Sequence, residues 1–392
     1  MKVHTLIIGG GALGLGVAHA LLQKRYKQST KPIQKDLLKD VYVVEKEKQL
    51  AQHSSSRNSE VIHGGFYYPT KTLKAQMCVQ GRRLLYSFLR QRNLPYRQCG
   101  KWVVATTENE VIKLEKLLLQ GKANGVEGLS LISARQVKDE EPWLKAQGGA
   151  LSSAETGIFN SHAFIQTLQK EVKDLGGEIV KGHQLYAVEN LSPSGFKVWL
   201  KLPQQQESFN IECEQLINAT GLWASQWYGL LGETPLHHYE TTYALGRYWS
   251  LQCSAPTQRL IYPLPERGGL GIHLTIDLQG RARFGPDVQW TTLKSPHELT
   301  SHLSYSVDPQ SKPTFVKAIK TYWPRLPEDQ LAPDYAGMRV KVKQVSKQYH
   351  DFVLLGPKEH GVAGLVHLLG IESPGLTSAL AIAEWVSKAL QD

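Results

Sequence analysis

The feature that most narrows the fold is the opening stretch, where an apolar run from Val3 to Ile8 passes directly into GGGALG at residues 9–14. Extended apolar residues followed at once by glycines predict a strand, a tight turn and a helix start. Gly9 permits the turn, Gly11 lets backbone approach a pyrophosphate, and Gly14 lets the helix pack close on the strand, so that a phosphate can sit at the helix N-terminus. A helical run from Ala12 to Gln23 and a second strand, Val41 to Val44, lead to Glu45, an acid suited to ribose hydroxyls. Together these parts predict a Rossmann-like unit that holds a dinucleotide. Glu45 comes later than the usual spacing because Lys24 to Asp40 reads as a surface insertion, which costs little closure entropy.

With 392 residues, 41% of them hydrophobic, and nineteen prolines spread through the chain, two globular domains are expected. No apolar run approaches the roughly twenty residues of a membrane span. The first strand starts almost at Met1, so no cleavable presequence is expected. Cys78, Cys99, Cys213 and Cys253 form no CxxC or Cys/His cluster, which predicts neither a metal site nor a disulfide framework and suits a reducing compartment. The formal charge of +10 is scattered. It favours anionic ligands or peripheral membrane contact and gives no support to nucleic-acid binding.

After Glu45 comes the donor-rich run HSSSRNSE, residues 53–60, and then VIHGGFYYP. The run either binds pyrophosphate and ring oxygens or is a solvated serine-rich turn. Periodicity predicts helices over Leu73 to Arg92, Glu108 to Lys122, Ser133 to Glu140 and Ser161 to Leu175, with a strand at Trp102 to Thr106. A strand in GGEIVKG, a meander through 186–188, 196–200 and 209–213, and a buried-type strand 215–219 follow; the last ends in NATGLWA, where Ala219 and Gly221 allow close approach of a ligand. Strands over 239–251, 260–263, 271–276 and 281–284, with turns at Gly268, Gly269 and Gly280, predict an antiparallel sheet, and 295–324 its helical or irregular cover. Strands at 351–355 and 364–368 then lead through a glycine-proline turn into a helix from Leu376 to Ala389. The partly positive N-terminus of that helix suits a reduced flavin, or simply closes the fold.

Four stretches, HSSSRNSEVIHGGFYYP, YPLPERGGLGIHLTIDLQGRARFGPDVQW, AGMRVKV and GLVHLLGIESPGLTSALAIAEWV, resemble the L-2-hydroxyglutarate dehydrogenase family, a branch of the D-amino-acid-oxidase-like FAD proteins. The likeness covers essentially the full chain. It implies an α/β fold (α+β overall), with a discontinuous FAD-binding domain of residues 1–80, 150–232 and 333–392. Residues 81–149 and 233–332 would form the antiparallel-sheet substrate domain. It further implies non-covalent FAD, with Gly9, Gly11, Gly14 and Glu45 at the adenosine half and Val188 near the adenine. Ser55, Ser56, Arg57, Asn58 and Ser59 would cross the pyrophosphate, and Gly370, Ser373, Gly375, Leu376 and Thr377 would lie against the flavin's carbonyl edge. The chain departs from the family at the 24–40 insertion and at Val340, where proline is usual. Family members are mitochondrial in eukaryotes and often membrane-associated, so a mitochondrial or cytoplasmic location is expected. Related glycerol-3-phosphate dehydrogenases carry an arginine near Tyr67 and Tyr68, absent here, which argues against a phosphorylated substrate.

Oxidising an alcohol beside a carboxylate requires a base for the hydroxyl proton, and histidine suits that role near neutral pH. His63 and His273, in glycine-rich contexts, are the candidates, with His367 third; each is equally a residue that simply hydrogen-bonds within the fold. Arg339 is the leading carboxylate partner, with Lys341 two residues along a strand and so on the same face. Tyr67 and Tyr68 either contact substrate or belong to the core. The expected activity is FAD-dependent oxidation of a small 2-hydroxy dicarboxylate, L-2-hydroxyglutarate, with electrons leaving to a quinone, an electron-transfer protein or oxygen. An amine oxidase and a non-catalytic dinucleotide-binding protein are the competing readings.

Overall fold

The computed structural model describes residues 1–28, 40–202, 208–229, 239–265, 271–293, 298, 304–344 and 349–391. Most of the 24–40 insertion and the expected turn at Gly268 and Gly269 lie outside the described residues. Two large sheets organise the chain.

The first sheet is built outward from the opening strand, Lys2–Ile8, which lies parallel to Val41–Glu45 on one side and to Ser208–Asn218 on the other. Glu178–Lys181 and Leu365–Leu369 extend the parallel set. Strand alternation divides the side chains: Ile7 joins Val17, Leu22, Val366 and Ile382 on the helical face, while Leu6 and Ile8 join Val198, Leu200 and Ile211 on the other. The separate strands expected at 209–213 and 215–219 are one continuous strand, Ser208–Asn218. Its residues 208–213 pair antiparallel with Phe196–Lys201, and its residues 212–218 pair parallel with the opening strand.

The turn at the head of this sheet is tight. Gly9 takes a φ of +114°, and its N–H donates to the Val44 carbonyl at 2.8 Å. A Cβ on Gly14 would fall 1.8 Å from the Gly9 carbonyl oxygen, so helix Ala12–Gln28 crosses the strand too closely for any side chain there. Gly14→Val is therefore expected to yield protein that purifies without yellow flavin absorbance, measured beside wild type at equal concentration.

Among the described residues the second sheet has nine strands. Its long pair, Tyr239–Leu251 and Leu331–Gln344, runs antiparallel from Tyr239↔Gln344 to Leu251↔Leu331. The strands expected over 239–251, 260–263, 271–276 and 281–284 pair antiparallel with one another, and Leu260–Pro263 also lies parallel to Lys101–Val104. A core of Trp249, Tyr262, Phe284, Phe315 and Tyr322 packs beneath it.

Sheet membership does not follow the sequence boundaries at 80, 150 and 333. Strands Ala150–Ser153 and Leu331–Gln344 belong to the second sheet. Helix Leu73–Gln91 packs on the terminal helix Gly375–Ala389, so closely that a Cβ on Gly81 would meet the Thr377 carbonyl oxygen at 2.4 Å. The helix start is held by Thr72, whose hydroxyl accepts from the Ala75 N–H, and by Asp351, whose carboxylate accepts from the Leu73 and Lys74 N–H groups. That capping brings Lys74 to the end of the terminal turn.

Candidate active site

A cavity of about 730 Å³ lies where the opening turn, the polar run, the long strand pair and the terminal turn converge. Its first end is built around Glu45. One carboxylate oxygen accepts from the Gly10 N–H at 2.8 Å and the other from the Glu47 N–H at 2.9 Å. Burial nevertheless pushes the Glu45 carboxyl above its ordinary value. Beside it Lys46 Nζ sits 3.0 Å above the Trp223 ring, and His53 bridges the Glu47 carboxylate at 3.0 Å and the Tyr305 hydroxyl at 2.8 Å. Lys46, His53 and Trp223 all line the cavity. The sequence reading missed them, although His53 and Trp223 stand inside the stretches HSSSRNSE and NATGLWA.

Across the middle, Ser55 Oγ accepts from the Ala12 N–H at 3.0 Å and so caps the first helix. The Arg57 guanidinium lies over the Tyr305 ring at 3.9 Å, and its Nε is buried with no hydrogen-bond partner among the described residues. Asn58 ties the run into a turn, donating to the Ser55 carbonyl and accepting from the Glu60 N–H.

These features fit an FAD. A glycine cradle that a Cβ on Gly11 would fill to within 2.8 Å of Ser55 Oγ, a helix N-terminus, a fixed acid and an orphaned guanidine N–H are the donor set a dinucleotide needs.

At the far end the groups are reactive ones. His63 is held by its backbone: its N–H donates to Thr377 Oγ1 at 3.1 Å, and its carbonyl accepts from the Cys78 thiol at 3.4 Å. Ser373 Oγ lies 3.3 Å from Nε2, while Nδ1 is buried without a partner among the described residues. Burial, reinforced by the Lys101 and Arg339 charges, holds this imidazole down to about 3. His63 is therefore neutral at physiological pH. His273 lies flat on Tyr262, the ring centres 3.5 Å apart, and both line the cavity.

Glu372 organises the cations here. Its carboxylate, 4% exposed, takes Lys74 and Lys341 on one oxygen at 2.9 Å each and Arg339 on the other at 3.5 Å. Those three cations hold the Glu372 carboxyl far below its ordinary range despite its burial. One acid against three bases leaves a cationic excess at the cavity wall.

Of the residues expected from the sequence, Gly9, Gly11, Glu45, Ser55, Arg57, Asn58, Ser59, His63, Ala219, Gly221, His273, Arg339, Ser373, Gly375, Leu376 and Thr377 line this one cavity. Others do not, each for a physical reason. Gly14 is spent on helix packing, and Ser56 points its hydroxyl back to the His53 carbonyl. Val188 is buried with Val3 and Leu6, while Gln184, Leu185 and Tyr186 of its strand reach the cavity. Tyr67 and Tyr68 are half-buried, Lys341 is taken by Glu372, and Gly370, at φ +64°, turns the chain under Val342. His367 lies in a buried strand with Nδ1 3.1 Å from the Asn218 amide nitrogen and does not line the cavity. Among the described residues no three His, Cys, Asp or Glu side chains gather as a metal site, and no helix is long and apolar enough to cross a membrane.

Comparison with known proteins agrees with this geometry. Residues 4–389 match the family described as FAD dependent oxidoreductase (DAO). A protein of Arabidopsis thaliana named L-2-hydroxyglutarate dehydrogenase, mitochondrial, is 35% identical over 98% of this chain and 83% of its own length. The mouse protein of the same name is 29% identical over 98% of this chain and 87% of its own. Among solved structures, the L-alpha-glycerophosphate oxidase of Mycoplasma pneumoniae with FAD bound superposes with a TM-score of 0.84 at 23% identity, covering 100% of this chain and 95% of that one. That likeness is one of fold.

Proposed function

We propose, from the premise that this chain belongs to the FAD-dependent oxidoreductase family and to its L-2-hydroxyglutarate dehydrogenase branch, that it oxidises L-2-hydroxyglutarate to 2-oxoglutarate. FAD, when bound, supplies the acceptor for the hydride removed from the alcohol carbon. The observation that carries the reading is a neutral imidazole, His63, and a cationic group, Arg339, on the wall of the cavity that also holds the glycine cradle.

Arg339 binds a substrate carboxylate and so fixes the alcohol carbon in the cavity. His63, unprotonated at rest, takes the hydroxyl proton through an imidazole nitrogen, with His273 as the alternative base. A dianion arriving beside Arg339 offsets the charge that holds His63 down and raises its proton affinity when the proton has to move. Gly9, Gly11, Ser55 and Arg57 hold the pyrophosphate half of the cofactor, Glu45 the ribose, and Ser373 to Thr377 its ring end. A quinone, an electron-transfer protein or oxygen takes the electrons onward. The mitochondrial names of the plant and mouse relatives support that compartment, and the charge of +10 suits peripheral contact with an anionic membrane.

Anaerobic bleaching of the bound flavin tests the proposal. L-2-Hydroxyglutarate is expected to bleach it within seconds, and its D isomer, L-lactate, glycine and glycerol 3-phosphate are not. Bleaching by glycine alone would refute the assignment in favour of an amine oxidase.

A further inference from the structure

Lys101 is 1% exposed, and its Nζ meets no hydrogen-bond acceptor among the described residues. The ammonium lies instead 4.3 Å from the centre of the Tyr262 ring and 4.7 Å from those of Phe66 and Tyr67. Ring faces attract a cation, but weakly beside the hydration it has given up. Burial accordingly holds Lys101 down to about 7. Packing alone would be served better by methionine, which has the length and carries no charge.

The cage stands directly behind His63. Lys101 pairs with Ser153 across the second sheet, and Ser153 Oγ lies against Gly64, the residue after His63. Tyr67 belongs to the same turn, and Tyr262 carries His273 on its other partnership. The groups facing His63 come from every neighbouring element: Cys78 from the second helix, Ser373 and Thr377 from the terminal turn and helix, Arg339 from the long strand, and Lys101 from the cage. Tyr68 and Glu372 stand behind Ser373 and Arg339.

We propose that Lys101 is a positioning residue for the oxidation: fixed behind the Tyr67 and Tyr262 rings, its ammonium adds to burial in opposing a positive charge on the His63 imidazole. The inference rests on His63 being the base. Lys101 works with Arg339 from the opposite side, and the two differ in accessibility. Arg339 lines the cavity and is offset by a bound carboxylate, whereas Lys101 is walled off and acts before any substrate arrives.

The flavin-loaded full chain is compared with Lys101→Met, Lys101→Arg and His63→Gln, reading kcat/KM against pH and the His63 imidazole titration by NMR. In Lys101→Met both the acid limb and the titration are expected to move upward by roughly half a unit or more, about threefold or more in the protonation constant. Lys101→Arg keeps them in place. Because the folded chain holds Lys101 near 7 and the unfolded chain near its ordinary 10.5, the cost of its buried charge is full below about pH 7 and fades as pH rises toward 10.5. The Tm of Lys101→Met at pH 6 is therefore expected to equal or exceed that of wild type. An unmoved limb and titration in Lys101→Met, with the limb abolished in His63→Gln, overturns the role of Lys101 alone. A limb that persists in His63→Gln removes His63 as the base and this inference with it.

Discussion

Arg339→Leu is expected to lower kcat/KM for L-2-hydroxyglutarate by about two to three orders of magnitude, since truncating one partner of a buried, hydrogen-bonded charge pair costs roughly 2–5 kcal/mol. Most of the loss belongs in KM, because the guanidinium is assigned to binding and not to proton transfer. Arg339→Lys should recover only part of it, as an ammonium cannot make two parallel hydrogen bonds to a carboxylate. A second signature separates this from general damage. Arg339 helps to hold His63 unprotonated, so the acid limb of kcat/KM should also move upward in the leucine variant. Steady-state kinetics at several pH values, on protein with wild-type flavin content, decides the matter; an unchanged KM would remove Arg339 from the carboxylate site.

Glu372→Gln carries the largest expected stability effect. The glutamine leaves Lys74, Arg339 and Lys341 facing one another without a compensating charge, and removing one partner of a buried ionic group typically costs about 3–5 kcal/mol. In a chain of this size that corresponds to a Tm lower by on the order of 4–6 °C near neutral pH. The pH dependence has a definite sign. Because the folded state depresses the Glu372 carboxyl below its ordinary 4.5, its contribution is complete above that value and is lost as pH falls further. The difference between wild type and variant should therefore narrow in acid. Thermal melts at neutral pH and below pH 4.5 measure it, and a constant difference across that range would show that the ion cluster is not its source.

The same cluster marks the limit of what the chain discloses before it folds. Arg339 and Lys341 were readable as a pair because a strand repeats every second residue, and both do reach one carboxylate. Glu372 was in plain view between Ile371 and Ser373, yet nothing local distinguishes an acid that gathers three cations from one that faces water. Lys74 lies on another helix, and only the Asp351 and Thr72 caps bring it to Glu372. Lys46 and Lys101 read as ordinary basic residues; a ring stacked beneath each became visible only in three dimensions. Val188 does not line the cavity, since strand parity and the neighbouring layer decide which residues of 184–190 face it.

The sequence by itself determined the opening strand, turn and helix, the order of the elements, the FAD family and the residue types available for chemistry. Backbone freedom at Gly9 and Gly14 and the period of apolar residues are short-range properties, written into a few neighbouring positions. Tertiary structure alone decided that Ser208–Asn218 serves two partners, that Leu331–Gln344 belongs to the second sheet, and that His63, Arg339 and Glu372 share one cavity. Charge and protonation at that site depend on burial and on groups brought together from distant segments, and those quantities exist only once the chain has closed on itself.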